Sequence, residues 1–401
     1  MTHRGAADVA ISRLRHQNGF GDCGRTRTGT AQAAFGPHMV SKDGLYVAST
    51  MDYVQGGPTA GGNMIFLHAR SSDFIRALWL KVTLPALSQP GTSWSKRVVD
   101  HLFEHISLDQ GGYTMMTMSL KKNNAIARSR GMWPKYSNSP KNHDTSKEWT
   151  VAIPLMDVDV IPLLSLFWHD SRTIFEKFHD LAGMVNGKTA AGDAVFPVRV
   201  VFTVECIYLD QDSRRSIADG VPVVLAMDDA STIKKLKYVF KQNVTVVESV
   251  PETIETTMQI RLTGNLPTTY IICIYKLNVP VWPEEDPVDC MDVVLNASTF
   301  QHFDKMELEE LNWLRCGVLS PMKYSKGRGE LVDTFYYLIP FGSDCMVAND
   351  VATTWVNMGR LDRAVLLVTS KSKLLPGTLT VVAETLNVKK YLAGMCCAKF
   401  V

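Results

Sequence analysis

Short apolar runs separated by turn-forming residues are the feature that most constrains the fold of this chain. From Asn63 onward, runs rich in β-branched, aromatic and leucine residues alternate with clusters of Gly, Pro, Asn, Asp and Ser. Branched and aromatic side chains favour the pleated surface of a strand, and the clusters between them favour turns. The predicted strands are Met64–Ala69, Ile75–Leu84, His105–Leu108, Thr114–Leu120, Thr150–Pro154, Val198–Leu209, Val221–Ala226, Val244–Val250, Thr256–Leu262, Thr269–Val279, Val288–Leu295, Phe335–Pro340, Ala364–Thr369 and Thr378–Leu386.

Helical periodicity is confined chiefly to three stretches in which acidic residues precede an apolar stripe. These stretches are Trp94–Glu104, Ser171–Met184 and Lys305–Leu314, and each is predicted to be a helix. A parallel α/β sheet would need a helix after nearly every strand, so the predicted class is mainly β with short helical insertions. This number of short strands predicts two consecutive eight-stranded antiparallel sandwiches.

The segment Val198–Leu209 illustrates how such a sandwich would be packed. Its even-numbered positions, from Val198 to Tyr208, are apolar or aromatic, whereas the opposite side carries Arg199, Val201, Thr203 and Glu205. Side chains alternate across a strand, so one face is predicted to be core and the other to be mixed.

Length and composition favour two domains. The chain has 401 residues, of which 46% are hydrophobic and 20% charged, which is too long for one ordinary core and too apolar for disorder. The polar stretch Asp210–Gly220, or the Lys-rich segment Ser231–Lys241 beyond it, is predicted to link them. The predicted division is residues 1–60 as an N-terminal arm, residues 61–220 as a first sandwich and residues 221–401 as a second.

Residues 1–60 are rich in Gly, Thr, Ser and Arg and predict an extended basic arm. The charge of such an arm suits an acidic inner surface, a membrane or another subunit, and a solvated, partly disordered tail is the alternative.

Charge and cysteine usage exclude several classes of function. Lysine plus arginine number 42 against 40 aspartate plus glutamate, and a net charge of +2 is too small to hold DNA by phosphate neutralisation. No specific nucleic acid is therefore expected as a partner. The eight cysteines are too dispersed for a secreted disulfide scaffold and predict reduced thiols. We expect neither a signal peptide nor a membrane span, because no apolar run is long enough.

The segment Phe66–Leu87 has a specific pattern of residues. It contains Arg70, then Asp73, then an aromatic-containing strand that closes on Val-Thr-Leu-Pro-Ala-Leu at Val82–Leu87, with Pro85 inside the motif. This pattern resembles the signature of the double jelly-roll major capsid proteins of nucleocytoplasmic large DNA viruses. The resemblance extends from about residue 62 to the end of the chain, although residues 1–60 do not match the N-terminal segment of that family.

Other segments resemble the same family in the same order along the chain. They are Trp94–Gly112, Cys206–Arg215, Leu295–Trp313, Asn357–Asp362 and Ala383–Met395. The family's proline- and aromatic-rich strand after the first helix is reduced here to Ile153–Phe167.

The resemblance implies a structural protein of a viral capsid, not an enzyme, and no cofactor. Three copies would form a trimeric, pseudo-hexagonal capsomer that tiles an icosahedral shell in the virion, after synthesis and assembly in the host cytoplasm. The implied partners are the chain itself as a homotrimer, neighbouring capsomers, and minor capsid proteins or an inner membrane contacted by the arm. A minor or vertex capsid protein of the same fold is the alternative within this class.

A zinc-dependent hydrolase is the alternative from another class. His101-Leu-Phe-Glu104-His105 matches the H-x-x-E-H spacing in which two helical histidines bind metal and the glutamate acts as a general base. A catalytic zinc ion needs a third ligand, which the sequence does not identify. We therefore predict ordinary surface or half-buried histidines and keep His101, Glu104 and His105 only as weak candidates for metal ligands.

The resemblance also suggests residues with structural roles. Arg70, Asp73 and Arg76 are predicted to form an ion-pair cluster near the first strand pair, with exposed charges of little energetic weight as the alternative. Asn387 and Gly394 are predicted to hold the last strand and its turn.

Overall fold

The computed structural model of the protein describes the chain from residue 45 to residue 398, with gaps. The described residues are 45–51, 55–68, 74–87, 92–95, 98–130, 147–155, 161–162, 171–186, 195–208, 235–251, 256–282, 285–322, 332–342, 355–371, 374–392 and 395–398.

Strands of the first half of the chain form two antiparallel sheets that enclose one core. One sheet has the strand order β1-β12-β4-β8, with β9 paired to β4, and the other has the order β2-β3-β10-β6-β7, while β5 and β11 form a separate pair. The strands are β1 (Leu45–Met51), β2 (Gln55–Gly56), β3 (Met64–Leu67), β4 (Phe74–Leu84), β5 (Ser93–Trp94), β6 (Phe103–Gln110), β7 (Tyr113–Ser119), β8 (Trp149–Pro154), β9 (Ile161–Pro162), β10 (Ser171–Phe178), β11 (Val185–Asn186) and β12 (Arg199–Tyr208).

The second half repeats this arrangement. One sheet has the order β13-β21-β15-β18, with β19 paired to β15 and β22 paired to β21, and the other has the order β14-β20-β16-β17. The strands are β13 (Lys235–Val250), β14 (Thr257–Arg261), β15 (Pro267–Val281), β16 (Cys290–Leu295), β17 (Ser298–Asp304), β18 (Val332–Pro340), β19 (Val356–Asn357), β20 (Ala364–Thr369), β21 (Gly377–Leu392) and β22 (Met395–Ala398).

Both halves have the same topology once their eight main strands are counted in chain order. In each half, the first, eighth, third and sixth strands form one sheet, and the second, seventh, fourth and fifth form the other. This order defines an eight-stranded jelly roll. The prediction of two consecutive jelly-roll sandwiches is therefore confirmed.

Helices occupy equivalent places in the two sandwiches. Helix α1 (Leu120–Ser129) lies between the fifth and sixth main strands of the first sandwich and begins at Ser119, whose hydroxyl accepts a hydrogen bond from the Lys122 amide. A π-helical turn (Glu307–Leu311) and helix α2 (Asn312–Arg315) lie between the fifth and sixth main strands of the second. Single 3₁₀ turns are formed by Val98–His101, Ala182–Met184 and Met358–Arg360. No helix in the described part of the chain is long and apolar enough to cross a bilayer.

The core of the first sandwich is built by the alternation predicted for β12. Val200, Phe202 and Val204 are fully buried, and Phe202 packs against rings from the opposing sheet, at 5.1 Å from Phe66 and 5.7 Å from Phe175 between ring centroids. These contacts join the two sheets, so the core lies between them, as the sandwich prediction requires.

Two of the three helix predictions are wrong. Ser171–Phe178 forms β10, because its buried positions alternate and it pairs with both β3 and β6. Trp94–Glu104 is divided among β5, a 3₁₀ turn and the start of β6. In both segments, apolar spacing that fits a helix also fits a buried strand, and sheet pairing decides between them. The helix predicted at Lys305–Leu314 is confirmed.

Two segments differ from the predicted domain division. Leu45–Met51 lies within the predicted arm but pairs with β12, so the first sandwich includes residues before 61. Strand β13 begins at Lys235, so the Lys-rich segment Ser231–Lys241 is in part a strand and not a linker. The other predicted linker, Asp210–Gly220, lies outside the described residues, and so does the predicted strand Val221–Ala226.

Candidate functional site

A fully buried ion pair joins the two sandwiches. Lys122 of α1 extends its ammonium group to within 3.7 Å of a carboxylate oxygen of Glu384 on β21, and both side chains are excluded from solvent. Tyr270 of β15 donates its hydroxyl to the same carboxylate, and its ring centroid lies 5.4 Å from the Lys122 nitrogen. A buried charge must be paired and hydrogen-bonded to be tolerated. The first sandwich thus supplies the cation of this pair, and the second supplies the anion and its tyrosine partner.

A second polar contact lies at the other end of α1. Asp100 pairs with Arg128 and accepts a hydrogen bond of 2.8 Å from the Asn124 amide group. Burial by itself lowers the pKa of Arg128, but Asp100 and Tyr336 of β18 outweigh it and raise that pKa. The Leu319 amide also donates to a carbonyl at the end of α1, at 2.9 Å. Helix α1 is therefore one of the elements through which the first sandwich contacts the second. Lys122, Glu384 and Tyr270 form the junction between the two sandwiches.

A cavity of about 430 Å³ lies beside this junction. It is lined by Ser95, His101, Gly183 and Met184 from the first half, and by Lys276, Leu277, Asn278 and Asp333 from the second. Five of these eight residues are polar or charged, so the cavity is a polar pocket between the sandwiches.

The H-x-x-E-H segment does not have the geometry of a zinc peptidase. His101 ends a 3₁₀ turn, and Glu104 and His105 belong to β6, so the two histidines do not lie on successive turns of a helix. Glu104 pairs with the Lys177 ammonium group at 2.7 Å, and this hydrogen bond lowers the pKa of the Glu104 carboxyl despite some burial. The other carboxylate oxygen of Glu104 lies 3.3 Å from the Nε2 atom of His105. Glu104 is thus held by a neighbouring lysine in the manner of a surface ion pair.

The predicted structural residues fall in different places. Arg76 belongs to β4, Pro85 follows that strand and is half-buried, and Asn387 is fully buried on β21, opposite Phe240 of β13. Arg70, Asp73 and Gly394 lie outside the described residues, so the ion-pair cluster and the role of the last turn stay predictions.

Two carboxyl groups and a tyrosine form a second cluster, next to the helical insertion of the second sandwich, in which Glu309 and Tyr337 are buried and Asp286 is half-buried. Asp286 accepts hydrogen bonds from the Tyr337 hydroxyl at 2.6 Å and from the Val288 amide at 2.8 Å, and it shares a further hydrogen bond with Glu309. Burial, together with the Glu309 carboxyl, raises the pKa of Asp286 to about 7. The two acids therefore share a proton at pH values below about 7.

This cluster predicts a pH dependence of stability. The folded-state pKa of Asp286 lies above its ordinary value of 3.8, so the folded chain keeps a proton that the unfolded chain releases. The free energy of unfolding therefore falls as the pH rises from about 3.8 to about 7, with a slope of at most about 1.4 kcal/mol per pH unit. Above about pH 7 this group causes no further fall. We expect Asp286→Asn to remove this pH dependence. In urea unfolding, the free energy of unfolding of wild type should therefore fall relative to that of the variant between pH 5 and pH 7. Equal slopes for the two proteins would contradict it, and Asp289→Asn, at an exposed ion pair with Lys371, is the control.

Sequence reasoning missed the residues of the junction and a further group on β16 and β17. Lys122 lies in the run Leu-Lys-Lys-Asn-Asn, which has no apolar stripe to indicate which lysine is buried.

Cys290 and Asp292 are two residues apart, and this spacing places both on one face of a strand. That spacing was an available signal for two ligands on one face, but nothing in the sequence indicates that His302, beyond the Asn-Ala turn, joins them. Among the described residues, these three are the group of Cys, His and acidic side chains close enough to share an ion.

Comparisons with known proteins find similarity in structure and not in sequence. No family model matches the chain, and no curated protein matches it by sequence. The solved PBCV-1 virus capsid superposes with a TM-score of 0.69 at 14% identity, covering 89% of this chain and 97% of that one. The Faustovirus major capsid protein gives a TM-score of 0.57 at 9% identity over 86% and 90% of the two chains. The Sputnik virophage structure gives 0.52 at 8% identity over 90% and 89%.

The chain therefore has the double jelly-roll fold of these viral capsid proteins. This result confirms the fold that the Val82–Leu87 motif implies, and the alignments span both sandwiches because they cover most of each chain.

Proposed function

We propose that this chain is the structural subunit of a viral capsid, acts without catalysis, and associates into trimeric, pseudo-hexagonal capsomers that tile an icosahedral shell. The observation that carries the proposal is the exact repetition of one eight-strand topology in two sandwiches joined by a buried polar junction. Three such chains around an axis present six similar sandwiches, which is the symmetry that a hexagonal lattice requires.

The surface of the second sandwich supports self-association. Leu311 and Leu314 are three residues apart on the helical insertion, so they lie on one face, and both are exposed. Met306 and Leu319, close by along the chain, are exposed as well. Neighbouring apolar side chains that face solvent in a single subunit are typical of surfaces that another protein covers.

Mass photometry of the purified full-length chain tests the trimer. We expect a species of three times the 44.6 kDa chain mass. A stable monomer with hydrolase activity that a chelator abolishes would overturn the proposal and favour the enzyme alternative.

The variant Leu314→Asp tests the surface. A carboxylate buried in a subunit contact costs at least about 2 kcal/mol, so we expect the concentration for half-dissociation of the trimer to rise at least about thirtyfold. The matched control is Tyr113→Asp, at an exposed hairpin end of the first sandwich. If Leu314→Asp and Tyr113→Asp dissociate alike, the insertion is not part of the contact.

A further inference from the structure

The hairpin of β16 and β17 places a cysteine, an aspartate and a histidine together on the outer face of the second sandwich. Cys290 and Asp292 alternate with the buried residues Met291 and Val293, so their side chains point away from the core. Asp292 lies directly opposite His302 across the hairpin. The sulfur, a carboxylate oxygen and an imidazole nitrogen lie within 4.8 Å of one another.

The backbone of the hairpin produces this juxtaposition. Asn296 and Ala297 both have positive φ, 48° and 67°, as a tight two-residue turn between twisted strands requires. Farther along, β17 carries one extra residue, Phe300, between the partners of Val293 and Val294. This bulge shifts the register by one residue and brings His302, and not Gln301, opposite Asp292.

We propose that Cys290, Asp292 and His302 form a binding site for a divalent transition-metal ion of the zinc class. Thiolate sulfur, imidazole nitrogen and carboxylate oxygen are the three kinds of ligand that zinc takes in proteins, whereas magnesium and calcium take oxygen ligands. A thiolate and a carboxylate together balance the charge of the ion. Three protein ligands leave the fourth tetrahedral position for a water molecule.

The distances suit such an ion after a small adjustment. The His302 Nδ1 atom and the Asp292 Oδ1 atom are 2.6 Å apart, and two such ligands of a tetrahedral zinc ion lie about 3.3 Å apart. The widening is less than about 1 Å, and the His302 side chain is 60% exposed, so its ring has room to move.

The cysteine must lose its proton to bind. Burial raises the pKa of the Cys290 thiol, as do the nearby carboxylates of Asp292 and Asp289, while a hydrogen bond with Thr369 opposes them. A bound ion displaces the sulfur proton and takes its place between the sulfur and the carboxylate.

Cobalt(II) and zinc chloride are the probes for an experiment on the full-length chain. Cobalt bound by a thiolate absorbs in the near ultraviolet, and we expect wild type to show this band at one equivalent and to lose it when zinc is added. Cys290→Ser should abolish the band. His302→Asn and Asp292→Asn should each weaken zinc binding by at least about a hundredfold in competition titrations.

The matched controls are His105→Asn, which alters a half-buried histidine of the first sandwich, and the double variant His101→Ala/His105→Ala, which removes the H-x-x-E-H histidines. Both should bind cobalt as wild type does. Absence of the band from wild type, or its persistence in Cys290→Ser, would overturn the proposal. If wild type binds zinc without showing the thiolate band, and only the double variant loses this zinc binding, the ion lies at the H-x-x-E-H segment instead.

Discussion

Replacing Lys122 by alanine is expected to lower the free energy of unfolding by about 3–5 kcal/mol, because it leaves the Glu384 carboxylate buried without its cation. Neither side chain of the pair is exposed by more than 1%, so water cannot replace the lost partner. The measurement is urea unfolding followed by tryptophan fluorescence.

A comparison of two lysines separates burial from charge. Lys371 pairs with Asp289 at 3.3 Å, but its side chain is 79% exposed, and exposed pairs contribute about 0–1 kcal/mol. Lys371→Ala is therefore the matched control. If Lys122→Ala costs no more than Lys371→Ala, the junction does not stabilise the fold.

A double variant tests whether the loss comes from the unpaired charge. Lys122→Met with Glu384→Gln removes both charges, and the glutamine keeps an acceptor for the Tyr270 hydroxyl. Replacement of a buried ion pair by uncharged groups of similar size is often close to neutral. We expect this protein to recover most of the stability lost in Lys122→Ala, and equal instability of the two would contradict the explanation.

Phe202→Ala is expected to destabilise the first sandwich by about 3–5 kcal/mol, the usual cost of removing a fully buried aromatic ring. Phe202 contacts Phe66 and Phe175 on the opposing sheet, and its ring stacks on that of His68 at 6.0 Å. Its loss leaves a cavity where the two sheets meet. Thermal unfolding monitored by circular dichroism is the measurement.

The control for this variant is Phe300→Ala, since Phe300 is half exposed on β17. Surface changes of this kind stay within about 0.5 kcal/mol. Similar melting temperatures for the two variants would show that the aromatic cluster does not hold the two sheets together.

The fold was accessible from the sequence because strand patterns are local. Thirteen of the fourteen predicted strands overlap strands of the structure, and the fourteenth, Val221–Ala226, lies outside the described residues. The errors at Ser171–Met184 and Trp94–Glu104 arose where one apolar spacing fits both a helix and a buried strand. Helix α1 was missed because its polar residues Lys122, Asn123 and Asn124 are buried, so the helix has no polar stripe that faces solvent.

The junction and the metal-ligand group were not predictable in the same way. Lys122 and Glu384 are far apart in the sequence, and only the packing of the two sandwiches brings them together. The position of His302 depends on a single bulged residue that shifts the register. Long-range packing and register are set by the tertiary structure, and a single sequence carries little sign of either.

The strand order of the sheets determines when each sandwich can close during synthesis. Strand β12 lies between β1 and β4, so the first sandwich is complete only once residue 208 has left the ribosome, before any of the second is needed. Strand β21 lies between β13 and β15, so the edges of β13 and β15 that face β21 stay unpaired until β21 has been synthesised. Open strand edges favour aggregation, so each half is most prone to aggregation in the interval before its eighth main strand is synthesised.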